Sequence, residues 1–365
     1  MKALKITLLC SLVSLSAFVV YHFQSEEQKQ YFQGDDSLIR YVGRFDFSER
    51  HAPKVWAPGA YLECHIYGKK AVLIVEDEQK FGNLHNYIEV IVDGHLKRIR
   101  LKGKMNRIVL FHQKQATQHN VIVCKNTESA IGYIQIHGIE CGRLLKVKKR
   151  KHLFEFIGDS ITCGNGADST QLSFGKGSWY DYHNAYLSFG ARLARAFHAD
   201  WMLSAVSGIG MNHSCCGLKH SMPEVYEFLD FHVNSDKWKF REQPACVFIT
   251  LGQNDGTKFM SNYEHAYVAF LTNLRKKYPH AWFICCTSPM ADQSFRNSMK
   301  ASIQRIIARR KASGEKRIIP FIYQGTYTAG YDKHPTIAQH AMMMQELRRF
   351  LMEQNSVTHL NEIVF

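Results

Sequence analysis

Four short segments of this chain carry side chains that chemistry can use. The first, FEFIGDSITCGNG from Phe154 to Gly166, begins as an apolar run of β propensity and breaks into Gly158-Asp159-Ser160. A serine hydroxyl is a weak nucleophile. It needs a base within hydrogen-bond reach and donors for the oxyanion that forms when it attacks a carbonyl. The second segment, LSAVSGIGMN (Leu203 to Asn212), places Gly208 just past an apolar run. A glycine there lets the backbone approach a ligand and offer its N–H. The third, ITLGQNDG (Ile249 to Gly256), contributes Asn254, whose side-chain amide is a donor. The fourth, GYDKHPT (Gly330 to Thr336), sets His334 before an expected helix, with Asp332 two residues earlier. Singly, each has a commonplace reading: a structural histidine, a turn glycine, a turn asparagine. In series they are the parts that nucleophilic catalysis by serine requires.

The elements around these segments change character near residue 150. Residues 24–37 are polar and read as a linker. From about residue 38 to 145 the chain shows short runs rich in β-branched and aromatic residues: AYLECHIYG, KAVLIVEDE, YIEVIVDGHLKRIRL, NRIVLFHQ, NVIVCKN and GYIQIHGIE. Several alternate, and Asp93-Gly94 reads as a hairpin turn. Six or more strands in about a hundred residues predict a β-sandwich. A basic connector, KVKKRKH (residues 146–152), follows.

From Leu153 to the end, nearly continuous apolar runs (LFEFIG, ACVFITLG, AWFICCTSP, RIIPFIY) alternate with expected helices. These helices are Ala185–Ala199, Pro223–Val233, Asn262–Tyr278, Arg296–Lys311 and Pro335–Gln354, with Pro335 as a first helical residue. Such alternation predicts an α/β domain over residues 153–365 with helices on both faces of a parallel sheet. Ligands in these sheets sit at the carboxyl ends of the strands. Each of the first three segments starts there.

The four segments, in this order, resemble the blocks of the SGNH (GDSL-type) hydrolases, a family built on a flavodoxin-like sheet. The resemblance covers Leu153 to the C-terminus. It implies that Ser160 is the nucleophile, that His334 is the base, and that the N–H groups of Ser160 and Gly208 with the Asn254 amide form the oxyanion hole. Within that family the chain is most similar to carbohydrate esterase family 2, whose members place a jelly-roll β-sandwich before the SGNH domain. GDSITCGNG, AYLSFGARLARAF and HPTIAQH look like that family's versions of the blocks, and VGRF…VWAPGAYLECHIYG like the opening of its sandwich. Membership implies a serine esterase that removes O-acetyl groups from carbohydrate through an acetyl-enzyme, without metal or organic cofactor. One departure stands out. The family's last block has Asp three residues before His, and Tyr331 occupies that position here. Either Asp332 orients His334 as a third triad member, or a backbone carbonyl does so in a Ser–His dyad.

Other residues divide between functional and structural readings. Trp179, Tyr180 and Tyr182 lie between the nucleophile turn and the next helix. They would either line a glycan cleft or pack a contact between domains. Asp159 reads as a turn former, and Cys163 as a bystander to Ser160. His213, Cys215, Cys216 and His220 lack standard metal-ligand spacing. Arg305, Arg309, Arg310 and Lys311 suit a solvated helix face or an anionic surface.

The chain has 365 residues, 45% of them hydrophobic, which is enough for two packed domains and argues against global disorder. Lysine and arginine outnumber acids 46 to 32, giving a net charge of +14. That charge fits either an ordinary basic surface or a partner such as an anionic envelope surface. No nucleic-acid-binding signature accompanies it. None of the ten cysteines forms a C-x-x-C pair, and Cys141 with Cys163 is a candidate disulfide in an exported chain. Residues 1–23, with Lys2 and Lys5 ahead of an apolar run from Ile6 to Phe23, read as a signal peptide or an N-terminal membrane anchor. The expected setting is therefore periplasmic, secreted or membrane-anchored, with an O-acetylated polysaccharide as partner. Two other functions share these features: a lipid-directed esterase or lysophospholipase on the same fold, and a glycan-binding protein with a vestigial site.

Overall fold

The computed structural model describes residues 29–257 and 260–358. The apolar stretch expected to be a signal or anchor lies outside them. Among the described residues no helix is long and apolar enough to cross a membrane.

Ten antiparallel strands make the N-terminal domain: β1 (Gln30–Gln33), β2 (Arg40–Val42), β3 (Phe45–Asp46), β4 (Lys54–Val55), β5 (Tyr61–Asp77), β6 (Tyr87–Val92), β7 (His95–Arg100), β8 (Met105–Lys125), β9 (Ile134–Cys141) and β10 (Arg143–Leu145). The linker expected over residues 24–37 is corrected: Gln30–Gln33 within it pair with β9 as a strand of the sandwich. Two pairs of runs expected as separate strands are continuous. AYLECHIYG and KAVLIVEDE form the 17-residue β5, and NRIVLFHQ and NVIVCKN form the 21-residue β8. The reason is in the pairing. The first half of β5 lies beside β2, β10 and the end of β8, and its second half beside β9 and the start of β8. Register shifts between Gly68 and Lys70 and between Ala71 and Val72 mark where both long strands turn the corner from one face of the sandwich to the other. The hairpin at Asp93-Gly94 joins β6 to β7, both turn residues having positive φ (49° and 85°), as a tight two-residue connection requires.

The second domain is a five-stranded parallel sheet: β11 (Leu153–Gly158), β12 (Asp200–Ala205), β13 (Cys246–Thr250), β14 (Trp282–Cys286) and β15 (Ile318–Phe321). The strand order is β12-β11-β13-β14-β15. This is the doubly wound 2-1-3-4-5 order. Its helices are α1 (Ser160–Cys163), α2 (Phe189–Ala196), α3 (Met222–Val225), α4 (Met260–Lys277), α5 (Gln293–Ala312) and α6 (Ile337–Thr358). The expected helix over Pro223–Val233 is only the single turn α3, started by a capping box between Ser221 and Glu224. Pro335 precedes α6 rather than opening it. The Thr336 hydroxyl accepts the Gln339 N–H (3.2 Å) and so caps the helix two residues later than the proline suggested.

Strand β11 is buried on both faces. Phe154 and Phe156 pack with Phe248, Phe189, Leu193, Met343 and Leu347 on one side. On the other, Ile157 joins Val247, Phe283 and Ile249 in a cluster that runs on into the sandwich interior through Leu62, Val75 and Ile139. The two domains therefore share apolar contacts instead of meeting across water. Tyr61 stacks on Trp201 at 4.1 Å between ring centroids, and Arg44 of the sandwich reaches the buried Glu155 of β11 (3.5 Å). The basic connector takes part as well: Arg150 bonds Glu63 of the sandwich (2.7 and 2.9 Å) and Asp200 of β12 (3.0 Å). On α5, Arg305 and Arg309 meet Glu264 and Arg310 meets Glu315, so that face is engaged in ion pairs of the chain itself.

Candidate active site

Strand β11 ends at Gly158, and Asp159 turns the chain into α1. The Asp159 Oδ1 accepts the Ile161 N–H (3.0 Å) and caps the helix. Ser160 is thus the first residue of a helix, where N–H groups have no intrahelical acceptor and are available to a ligand. Glycine is needed before it, because a Cβ on Gly158 would lie 2.0 Å from the Thr162 hydroxyl. A second glycine, Gly166 (φ 67°), lets the histidine loop close over the nucleophile. A Cβ there would stand 2.8 Å from that of His334, and its carbonyl accepts the Tyr331 N–H (3.0 Å).

His334 and Ser160, 174 residues apart, meet: Nε2 lies 2.8 Å from the serine Oγ. The other ring nitrogen, Nδ1, lies 3.0 Å from the main-chain carbonyl oxygen of Asp332. An Nδ1–H donating to that carbonyl leaves Nε2 with a lone pair for the serine proton. Asp332 as a side-chain triad member is therefore corrected. Asp332 and Lys333 both take left-handed backbone (φ 49° and 57°), which turns the Asp332 carbonyl inward while its side chain stays exposed. The −2 spacing brings a carbonyl to the imidazole instead of a carboxylate. Burial holds the His334 pKa below the ordinary histidine value, outweighing the bond to Asp332, so the ring stays neutral as a base must.

The oxyanion donors expected from sequence, Gly208 and Asn254, lie past the ends of β12 and β13, the two strands that flank β11. Gly208 has φ 81°, and a Cβ on it would press on the Cys215 sulfur at 3.2 Å. The Asn254 Nδ2 donates to the Ile209 carbonyl (2.8 Å) and lies 3.4 Å from Asp159 Oδ2, which ties the second, third and first segments together. Burial pushes the Asp159 carboxyl up to about 7, with Asp255 adding to the shift. Cys163 is buried beneath the site. Desolvation first, and Glu128 beside it, hold its thiol well above the usual range, which suits no nucleophile.

The aromatic loop divides. Trp179 is 38% exposed, whereas Tyr180 and Tyr182 are 5% and 0% exposed and offer no face to a sugar. Their placement is corrected accordingly. Tyr180 packs edge-on to His85 of the sandwich (5.0 Å). Tyr182 lies against Tyr331 (4.6 Å), and its hydroxyl accepts the N–H groups of Lys176 (2.9 Å) and Gly177 (3.0 Å). The loop is pinned from the sandwich: Arg98 donates to the carbonyls of Asp181 (2.8 Å) and His183 (2.7 Å) and lies 4.0 Å over the Tyr87 ring. The candidate Cys141–Cys163 disulfide is also corrected. Cys141 belongs to the sandwich core and Cys163 to α1, while Cys215 and Cys216 are bonded to each other and so leave the His213–His220 set without thiolates.

Two acids at the site went unread in the sequence. Asp255, 1% exposed, accepts the N–H groups of Met211 (2.8 Å), Asn212 (2.8 Å) and His213 (2.9 Å), which shapes the loop after Gly208. Its place directly after Asn254 was the available signal. Glu128 comes from the sandwich, just past β8, and nothing in its neighbourhood of sequence announces it.

Residues 41–148 match the carbohydrate esterase 2 N-terminal domain, and residues 156–361 match the GDSL-like lipase/acylhydrolase family. A cellulase/esterase, CelE, of Acetivibrio thermocellus is 30% identical over 326 residues; the match covers 86% of this chain and 39% of that protein. An acetylxylan esterase/glucomannan deacetylase of Cellvibrio japonicus is 26% identical over 323 residues, covering 82% of this chain and 85% of that one. Among solved structures, a family two carbohydrate esterase from Clostridium thermocellum in complex with cellohexaose superposes with a TM-score of 0.78 at 27% identity, covering 87% of this chain and 99% of that one. A family two carbohydrate esterase from Cellvibrio japonicus shares the fold, with a TM-score of 0.80 at 23% identity over 89% of this chain and 98% of that one.

Proposed function

The chain belongs to the GDSL-like lipase/acylhydrolase family and carries the two-domain build of carbohydrate esterase family 2, and on that premise we propose that it is a serine esterase removing O-acetyl groups from polysaccharide. The observation that carries the reading is the line from Ser160 Oγ through His334 to the Asp332 carbonyl, at 2.8 and 3.0 Å.

Ser160 Oγ attacks the acetyl carbonyl carbon and gives its proton to His334 Nε2. The carbonyl oxygen, now an oxyanion, takes hydrogen bonds from the N–H groups of Ser160 and Gly208 and from the Asn254 amide. Nδ1–H stays on the Asp332 carbonyl, which holds the imidazolium in place. The intermediate collapses, and the sugar hydroxyl leaves with the Nε2 proton. Water then attacks the acetyl-enzyme with His334 as base, and acetate departs. Trp179 is the exposed aromatic of the site loop and the residue suited to stack on a sugar ring. The basic start and apolar run of residues 1–23 support a place outside the cytoplasm, where polymeric substrates are met.

Acetate release from acetylated glucomannan and acetylxylan, with Ser160→Ala as control, tests the reading. Hydrolysis should favour acetyl over octanoyl esters strongly. A preference for octanoyl esters, or full activity in Ser160→Ala, would overturn it.

A further inference from the structure

We propose that Glu128, a residue of the sandwich domain, is a positioning residue for the oxyanion hole of the neighbouring domain. Its carboxylate is wholly buried, and Oε2 accepts the main-chain N–H of Ser207 at 2.6 Å. Ser207 directly precedes Gly208. The peptide unit joining them bears the Gly208 N–H that the proposed mechanism assigns to the oxyanion, and a peptide unit swings only if its flanking atoms are free. Here both sides are held. Glu128 grips the Ser207 nitrogen, and Asn165 Nδ2 approaches the Ser207 hydroxyl (3.5 Å). Beyond Gly208, its own carbonyl accepts the Cys215 N–H (2.8 Å). A donor fixed before the reaction costs nothing to reorganise when charge develops on the substrate oxygen.

The same Oε2 lies 3.7 Å from the Cys163 sulfur, in the helix that begins with Ser160. Glu128 therefore touches both the nucleophile helix and the oxyanion loop and sets one against the other. Its own position is determined from within the sandwich. The buried Lys125 ammonium donates to the carbonyls of Trp56 (3.0 Å), Thr127 (2.7 Å) and Glu128 (3.1 Å), which fixes the turn that presents the carboxylate. A carboxylate serving only to fill space would not be buried next to a backbone N–H of another domain. Burying a carboxyl is costly unless its bonds are made. Among the described residues Oε1 has no hydrogen-bond partner and burial raises the group's pKa, so the main-chain bond that holds it is the one from Oε2 to the residue before the oxyanion glycine. By this account the sandwich completes the esterase site from behind, and a catalytic domain without it would carry an unfixed oxyanion loop.

Two variants of the full chain separate reach from charge. Glu128→Asp keeps the charge and withdraws the acceptor by one methylene. Glu128→Gln keeps the reach and an acceptor oxygen and removes the charge. On a soluble acetyl ester, Glu128→Asp should lose on the order of tenfold in kcat with KM within about twofold, and Glu128→Gln should lie within about threefold of the unaltered protein. Hydrogen–deuterium exchange of the peptide containing Ser207 and Gly208 should quicken in Glu128→Asp and not in Glu128→Gln. A loss expressed in KM, a larger kcat loss in Gln than in Asp, or exchange that is unchanged or rises throughout the sandwich would each overturn the role. The kinetic arm rests on the esterase reading. If the unaltered protein released acid from no ester, that reading would fall, and the exchange pattern would still decide whether Glu128 holds the loop.

Discussion

Strands β5 and β8 of the sandwich run 17 and 21 residues, whereas no strand of the parallel sheet exceeds six. The two domains spend their residues differently. In the parallel sheet, β11, β12 and β13 stop early, and within a few residues of each end stands a group that the proposed reaction uses: Ser160, Gly208 and Asn254. In the sandwich the strands continue round a corner. The polar side chains that matter, Arg98 and Glu128, emerge only along the border with the other domain, where they grip backbone rather than substrate. One domain carries the reacting groups and the other fixes the loops that present them. That contrast predicts that changes in the first should be read directly in kcat, and changes in the second in stability or loop order, with a smaller kcat loss only where the loop they hold carries a reacting group, as for Glu128.

The largest effect expected is from Ser160→Ala, which should lower ester hydrolysis by several powers of ten without unfolding the chain, since alanine suits a helix start. Activity measured beside the thermal transition checks both halves of that statement. Full activity would remove the reacting group from the parallel sheet. Next, Asn254→Ala should cost about 10²–10³ in kcat with little change in KM, because an oxyanion donor acts mainly in the transition state. A loss confined to KM would make Asn254 a substrate binder.

On the sandwich side, Arg98→Ala removes the donor to the Asp181 and His183 carbonyls and leaves Asp168, 3.5 Å from Nε, buried without its cation. Breaking such a pair should lower stability by roughly 3 kcal/mol. Chemical denaturation measures it, and an unchanged midpoint with a large kcat loss would break the contrast between the domains.

The pH profile sharpens the catalytic half. His334 must be neutral to act, and burial holds its folded pKa below the ordinary value of about 6.5. Hence kcat/KM should be flat at neutral pH and fall about tenfold per unit only below an inflection under 6.5. The linked stability has the same sign. The unfolded histidine binds its proton more readily, so the contribution is complete above about 6.5 and is lost as pH falls through the folded pKa. An inflection above 7 would contradict this.

The smallest effect expected belongs to Asp332→Asn. If the carboxylate oriented His334, the loss would be on the order of 10⁴. With the main-chain carbonyl in that role, kcat should fall by no more than about tenfold. Asparagine tolerates left-handed backbone, so the melting temperature should hold.

Much of the site could be read along the chain because its parts obey local rules. A serine after a strand-ending Gly-Asp, a glycine at positive φ, an asparagine past a strand and a histidine before a capped helix are each set by backbone chemistry within a few residues. The apolar runs likewise determined a parallel sheet and five helix sites, although the helix expected over Pro223–Val233 is only the single turn α3 and α6 starts two residues after Pro335. What only the folded chain decided depends on distance in sequence. The corner in β5 and β8 had to be paired before two strands could be seen as one. The burial of Tyr180 came from the sandwich packing against its loop through His85, and that of Tyr182 from the histidine loop through Tyr331. The choice of the Asp332 carbonyl over its carboxylate came from two successive left-handed residues, which propensity does not favour. The Glu128–Ser207 bond joins residues 79 positions apart in different domains. No periodicity or motif encodes such a contact, because the free energy that secures it is the burial of the whole interface and not of either residue.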